Sequence, residues 1–475
     1  MANTGWRDLL TEGRLPRFAL IALGVWLNAA DSLVTATIMP SVGRDLGGYQ
    51  YFSWTVAGFL VGAIMAGASS GRLAEMFGLR RATTLAGLVF TAGCLIGASA
   101  PSMAWFVAGR IIQGLGSGWI SGFAMVAVAM LFPPRHLARV FASTAAIWGI
   151  ATLLGPLVGG AFAQAGNWRA VFWLFAAQSL VFTLAAPWLL TRTAKEQHAP
   201  GIPWRQLGVL GLGIAAIAIG DVARSASLAI ALVIGGLAIL ALVLRIDHRS
   251  KVRLLPHRAG DLRTIVGSGY ASLVALTAAS MALTVYGPAI LQQLHGLRPI
   301  AAGYAVAAEA LLWTTAALLV AGVEGERGER RAIRAGAACV LAGVVGQALT
   351  MRAAPLGLVV AAAAVMGCGF GLSTSFSSRR VLAALADEDR AIGSAALMTV
   401  RQIGGAVGAA IAGAVANLVG FTAGLNDATA SAAALWVFAA SVPLALAGAA
   451  AAWRFTGSAS AAQLGASASP PAALS

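Results

Sequence analysis

Residues 51–100 read YFSWTVAGFLVGAIMAGASSGRLAEMFGLRRATTLAGLVFTAGCLIGASA. Two apolar blocks, 51–71 and 82–100, are parted by a short charged stretch, Gly71-Arg-Leu-Ala-Glu75-Met-Phe-Gly78-Leu-Arg80-Arg81. A block of about 20 residues, wound as a helix rising about 1.5 Å per residue, crosses a hydrocarbon layer about 30 Å thick. Lipid offers no partner for backbone N–H and C=O groups, so such blocks are expected to be helical. The period-two alternation of a membrane barrel is absent from the sequence.

The same pattern runs along the chain. Candidate helices cover 18–40, 51–71, 82–100, 103–131, 138–163 and 169–190; two weaker ones follow at 207–222 and 226–244. Six more cover 264–293, 299–321, 332–351, 355–377, 390–419 and 429–453. The expected architecture is an all-α integral membrane protein: two six-helix bundles with two additional helices inserted between them, fourteen transmembrane helices in all. Residues 1–190 form the first bundle, 191–263 the linker with the two extra helices, 264–456 the second bundle, and 457–475, rich in Ala, Ser and Pro, a disordered cytoplasmic tail. Composition agrees. The chain is 59% hydrophobic and 10% charged, against about 25% charged in soluble domains, and its mean hydropathy is +0.82. Arg7, Arg14 and Arg17 precede the first block, which has no clear cleavage site and reads as a retained span.

A net charge of +15 would suggest nucleic acid in a soluble protein. Here the basic residues sit in short loops, so they report topology. With a cytoplasmic N-terminus, all but seven of the 32 Lys and Arg fall in inner segments. Arg44, Arg169, Arg224, Arg298 and Arg352 lie in outer loops; Arg110 and Arg401 lie within spans. Parity decides the weak middle region: one crossing at 207–244 would invert the second half and turn its basic loops outward. Cys94, Cys339 and Cys368 lie in apolar blocks without metal-ligand spacing. All five His fall in predicted loops, and no phosphate-binding Gly-Lys-Ser/Thr loop or catalytic constellation is present, so neither an enzyme, a metal site nor a cofactor is expected.

The charged stretch has a second copy, Gly322-Val-Glu-Gly-Glu326-Arg-Gly328-Glu-Arg330-Arg331, after the second span of the later half. Internal repeats of this kind occur in transporters built from two similar bundles. The first copy resembles the signature loop of the major facilitator superfamily, with Glu75 where Asp is usual and Leu79 before the Arg pair. Arg110-Ile-Ile-Gln113-Gly114-Leu-Gly116-Ser-Gly118 is similar to that family's span-four motif. Trp148-Gly149-Ile-Ala-Thr-Leu-Leu-Gly155-Pro156-Leu-Val-Gly159-Gly160 resembles its antiporter motif. Asn28-Ala-Ala-Asp31-Ser-Leu-Val-Thr-Ala-Thr-Ile-Met-Pro40 resembles the start of the fourteen-span drug:proton antiporters, with Met39 before the Pro. Arg401-Gln402-Ile-Gly404-Gly405 resembles a late span of the same family.

The resemblance implies a proton-coupled exporter of lipophilic or cationic small molecules in the cytoplasmic membrane, with both termini cytoplasmic. Its partners are cargo, protons and lipid. Gly71, Glu75, Gly78, Arg80 and Arg81 would form a breakable latch between helix ends. Gly155, Gly159 and Gly160 give a smooth face, and Pro156 a bend. Charges inside spans are the clearest site clues. Asp31 shares a helical face with Asn28 and Thr35. Glu309 lies mid-span with Trp313 one turn on, and Arg110 shares a face with Gln113. These three are the candidates for the proton-coupling pathway, while Arg401 reads as structural, near a helix end. Trp26, Asn28, Gln113, Tyr270, Tyr286 and Trp313 are expected to line the cavity. Export of one dedicated metabolite or lipid, and a non-transporting sensor or scaffold on the same fold, stay open beside this reading.

Overall fold

The computed structural model describes residues 14–131, 134–190, 201–220, 226–386 and 389–457. The expected tail beyond Gly457 and the first part of the linker, 191–200, lie outside the described residues. Among the described residues fourteen α-helices follow one another: α1 (Arg14–Leu46), α2 (Trp54–Phe77), α3 (Leu79–Ala98), α4 (Met103–Leu131), α5 (Pro134–Gln164), α6 (Arg169–Leu189), α7 (Trp204–Gly220), α8 (Ala226–His248), α9 (Ile265–Leu294), α10 (Pro299–Leu319), α11 (Glu326–Thr350), α12 (Leu356–Ala383), α13 (Arg390–Leu418) and α14 (Asp427–Gly457). Among the described residues there is no strand. Thirteen of the helices are long and apolar enough to cross a membrane. The exception, α7, has 17 residues, a reach of about 25 Å at 1.5 Å per residue.

Several helices outrun the apolar blocks that announce them. α1 continues through Pro40 to Leu46, and α11 starts at Glu326 instead of 332. Beyond the hydrocarbon layer a helix still satisfies its own backbone, so polarity alone does not end it. Local chemistry sets other ends. The Thr264 hydroxyl accepts the Gly267 N–H at 3.0 Å to cap α9, and Pro299 opens α10 after an extended Arg298. The charged stretch 71–81 is not a loop. α2 runs to Phe77 and α3 starts at Leu79, and Gly78 alone turns the chain, with φ 76°. That left-handed backbone strains any residue with a Cβ. In the second copy the left-handed residue is Gly325, φ 80°, so α11 begins about one turn earlier in the repeat.

The two halves repeat in three dimensions. α2 and α3 pack on α4, α1 on α5 and α3 on α6; in the same way α10 and α11 pack on α12, α9 on α13 and α11 on α14. The register is carried by a glycine pattern. A Cβ at Gly114 or Gly118 of α4 would collide with the carbonyl oxygens of Phe59 or Ala63 on α2. A Cβ at Gly367 or Gly371 of α12 would collide with those of Glu309 or Trp313 on α10. Small residues let membrane helices approach to backbone contact. The repeat thus sets Glu309 where the first half has Phe59. The halves meet along α5 and α10, and along α2 and α13, with α1 beside α9.

The inserted α7–α8 hairpin lies against α13 and α2, and its return loop is tied down by two buried carboxylates. Asp247 accepts the N–H groups of Leu254 and Leu255 at 2.6 and 2.9 Å. Asp389, at the start of α13, accepts from Arg253 at 3.0 Å and from the His257 N–H at 3.1 Å. Burial pushes the Asp389 carboxyl up, but the His257 N–H and the charges of Arg253 and His257 outweigh it and hold the group below its ordinary value. A carboxylate lowered in the folded state stabilises above its unfolded-state value and loses that contribution as pH falls through the folded one. Asp389→Asn is expected to weaken this clasp by about 1.5–3 kcal/mol, the range for hydrogen bonds to a charged group. Limited proteolysis within 249–263 measures it, and an unchanged cleavage rate would count against the clasp.

Candidate functional site

The halves are sealed against each other at the end of the bundle that carries residues 47–53 and 419–426. Tyr49 and Phe52 of the first half meet Tyr286 and Phe421 of the second. Ring centroids lie 5.1 Å apart for Tyr286–Phe421, 5.5 Å for Phe52–Tyr286 and 5.5 Å for Phe52–Phe421. Such edge and tilted pairs add to their burial energy. The Asn417 amide donates to the Gln50 carbonyl at 3.0 Å, and the Tyr304 hydroxyl to the Leu153 carbonyl at 2.8 Å. The antiporter-like stretch of α5 lies on the same seam. Gly155 and Gly159 pack on Leu33 and Val34 of α1, Pro156 faces Gly303, and a Cβ at Gly160 would lie 2.7 Å from the Ile300 backbone of α10.

This placement corrects two expected cavity residues. Tyr286 is fully buried in the aromatic seal. Tyr270 is buried too, its hydroxyl donating to the Gly393 carbonyl at 3.0 Å, which ties α9 to α13. At the other end, these ion pairs of the described residues each join groups of one half. Glu326 pairs with Arg330 at 2.5 Å and Arg380 at 3.1 Å, and Glu329 with Arg379 at 2.5 Å. Glu75 pairs with Arg72 at 3.8 Å, rather than with Arg80 or Arg81, and a Cβ at Gly71 would meet nothing within 4 Å. The expected close approach at Gly71 is therefore not made in this conformation.

Asp31, Arg110 and Gln113 come together inside the first half. Arg110 donates to both Asp31 oxygens at 2.9 and 2.8 Å, to the Thr55 carbonyl at 3.1 Å and to the Gln113 amide oxygen at 2.6 Å. Gln113 donates to Asp31 at 2.8 Å, and the Phe59 ring lies 4.4 Å from the guanidinium carbon. The exposures of Asp31, Arg110 and Gln113 are 0, 2 and 0%. Each charge has its counter-charge and its hydrogen bonds, the condition under which a buried pair is tolerated. Gln113 is thus part of this network and not a lining residue. Asn28 donates to Ser121 on α4 at 2.7 Å, and Trp26 to Gln178 on α6 at 3.1 Å; both brace α1 within its own half.

Glu309 is placed differently. It lines a cleft of about 60 Å³ between the halves, with Ser32, Ala36 and Thr37 of α1, Pro156 of α5 and Thr284 of α9. Among the described residues its carboxyl has neither an ion-pair nor a hydrogen-bond partner. One turn on, Trp313 stacks on Phe370 at 4.9 Å and 16°. The Arg401 guanidinium carbon stands 5.0 Å from the Trp313 ring. Arg401 lies well inside α13, not near a helix end as its sequence reading had it. Sequence reading passed over Ser32, Thr37, Thr284 and Phe370. The signal that could have found Phe370 is the second glycine run, Gly367-Cys-Gly369-Phe-Gly371, which repeats that of α4.

Two similar six-helix halves, closed on each other at one end and parted by a cleft, make a membrane transporter. A family model described as Major Facilitator Superfamily matches residues 21–409, and the chain belongs to that superfamily. It is 29% identical over 436 residues to a Mycobacterium tuberculosis protein named as a probable multidrug-efflux transporter, covering 88% of this chain and 90% of that one. It is 31% identical over 155 residues to multidrug resistance protein 3 of Bacillus subtilis, which covers 32% of this chain and 30% of the relative. In fold it is similar to a bacterial homologue of the human lysosomal transporter Spinster, solved inward-facing and unoccupied. The TM-score is 0.63 at 14% identity, over 94% of this chain and 97% of the other.

Proposed function

We propose that the chain is a proton-coupled efflux antiporter that carries lipophilic, cationic or related small molecules out across the cytoplasmic membrane. In this reading both termini are cytoplasmic and the sealed end faces outward. The observation that carries the proposal is Glu309: an acid without a partner among the described residues, in a cleft between the halves whose other polar groups are the neutral hydroxyls of Ser32, Thr37 and Thr284. A carboxylate in such surroundings is compensated by a bound proton or by a cationic cargo, and exchange of one for the other is antiport. The efflux names of the relatives support the direction. The energy suffices, since one proton moving through 100 mV yields about 2.3 kcal/mol, enough for a roughly fortyfold gradient of a neutral solute.

The test is proton release from everted vesicles on addition of lipophilic cations. Wild type is expected to respond. Glu309→Gln, which keeps shape and loses the titrating group, is expected to abolish the response while the folded protein persists at its normal level. A full response in Glu309→Gln would remove Glu309 from the coupling path. Export of a single dedicated compound would instead show as a response to few or none of the cations.

A further inference from the structure

A second cavity, only about 10 Å³, lies inside the second half, lined by α9, α11, α12, α13 and α14, with Arg401 in its wall beside Thr277, Ser373, Thr374 and Ser377. An arginine is always charged, and its five N–H donors form a fork that matches an oxyanion. Here that fork has no acid. Among the described residues Arg401 makes neither an ion pair nor a hydrogen bond, and its one charge-compensating neighbour is the Trp313 ring at 5.0 Å. Glu309, one turn away on α10, is not its counter-ion. The first half shows how the same chain treats a buried guanidinium it means to keep still: Arg110 is held by a bidentate carboxylate, a carbonyl and an amide.

The hydroxyls beside Arg401 sort into two groups. Ser373 donates to the Gly369 carbonyl at 2.8 Å and Thr374 to the Phe370 carbonyl at 2.7 Å, so their protons are committed to their own helix. Thr277 and Ser377 donate to no described residue and can turn toward a ligand. A fixed cation, two free hydroxyl donors and an adjoining aromatic pair, Trp313 on Phe370, are complementary to an acidic group attached to a flat apolar body.

We infer that Arg401 is an anion subsite of the transport pathway and that it selects cargo carrying a carboxylate. The inference rests on the transporter reading above and adds a chemical class to it: among the lipophilic and cationic compounds carried, those that also bear an acidic group at one end are held more tightly. A phosphate headgroup offers the fork the same chemistry, so the test separates lipid from cargo.

The experiment uses the full chain in nanodiscs of zwitterionic lipid. The probes are a rhodamine with a free carboxylate and its ethyl ester, with binding followed by dye anisotropy. Wild type is expected to bind the acid about tenfold or more tightly than the ester, the scale of a hydrogen bond to a charged group. Arg401→Gln is expected to bring the ratio close to one. Arg401→Lys, which keeps the charge without the fork, is expected to recover part of it. A ratio near one in wild type, no binding of the acid, or an unchanged ratio in Arg401→Gln would overturn the subsite. Loss of the preference when anionic lipid is added would reassign Arg401 to a headgroup. Proteoliposomes separate the two levels: movement of both dyes without preference overturns the subsite alone, whereas binding without any movement overturns the transporter reading.

Discussion

Asp31→Asn is expected to destabilise the protein by about 3–5 kcal/mol, because it leaves the Arg110 guanidinium buried without its counter-charge. The loss would be read as a fall in melting temperature of the purified protein and in the yield of folded protein. The double variant Asp31→Asn/Arg110→Gln removes both charges and keeps hydrogen-bonding side chains in their places. It is expected to recover most of the stability, since replacing a whole buried pair costs far less than breaking it. The comparison also bears on coupling. If Asp31 is part of the proton path, the stable double variant still fails to move protons; if the pair is only a brace, transport returns with the fold. A wild-type melting temperature in Asp31→Asn would mean that the pair is not closed in the dominant state.

Gly160→Leu is expected to hold the sealed end open. The added side chain has no room against the Ile300 backbone, where even a Cβ would lie 2.7 Å away, and backbone on a membrane helix cannot rotate aside. Overpacking of this kind costs about 1–3 kcal/mol, which shifts a two-state balance by roughly five- to 150-fold. Transport is expected to fall by about that factor, with folding kept, if parting of the halves at this end releases the contact, as rocking of one bundle on the other requires. Spin-label distances between position 50 and position 424 follow it directly. A longer distance in Gly160→Leu is the expected result, and an unchanged distribution would show that the α5–α10 contact does not control closure.

The sequence was most legible where water and lipid disagree. Helix number and approximate position followed from apolar blocks, since only a helix can satisfy its backbone in hydrocarbon. That Asp31 and Arg110 stand out followed from the cost of a charge inside a span; that they pair with each other did not. The direction each apolar face takes was not legible. A tyrosine turned toward lipid and one turned toward protein meet similar surroundings, so periodicity does not sort them. Tyr270 and Tyr286 were misjudged for that reason, whereas Arg401 was misplaced within its own span: the expected helix 390–419 and the observed Arg390–Leu418 agree, and both put it well inside. The 71–81 stretch was misjudged in the opposite sense: its charges suggested a loop, whereas they ride on helix ends beyond the apolar layer.

The Gly78 joint has a mechanical consequence. One residue separates α2 from α3, so the connection holds no slack. A displacement of the α2 end passes to α3 almost undiminished, and from there to α6, on which α3 rests. In the second half, residues 320–325 separate α10 from α11, a tether long enough to absorb a comparable displacement. The two halves share a packing scheme but differ in stiffness, and a carrier made this way has a lever on one side and a compliant arm on the other.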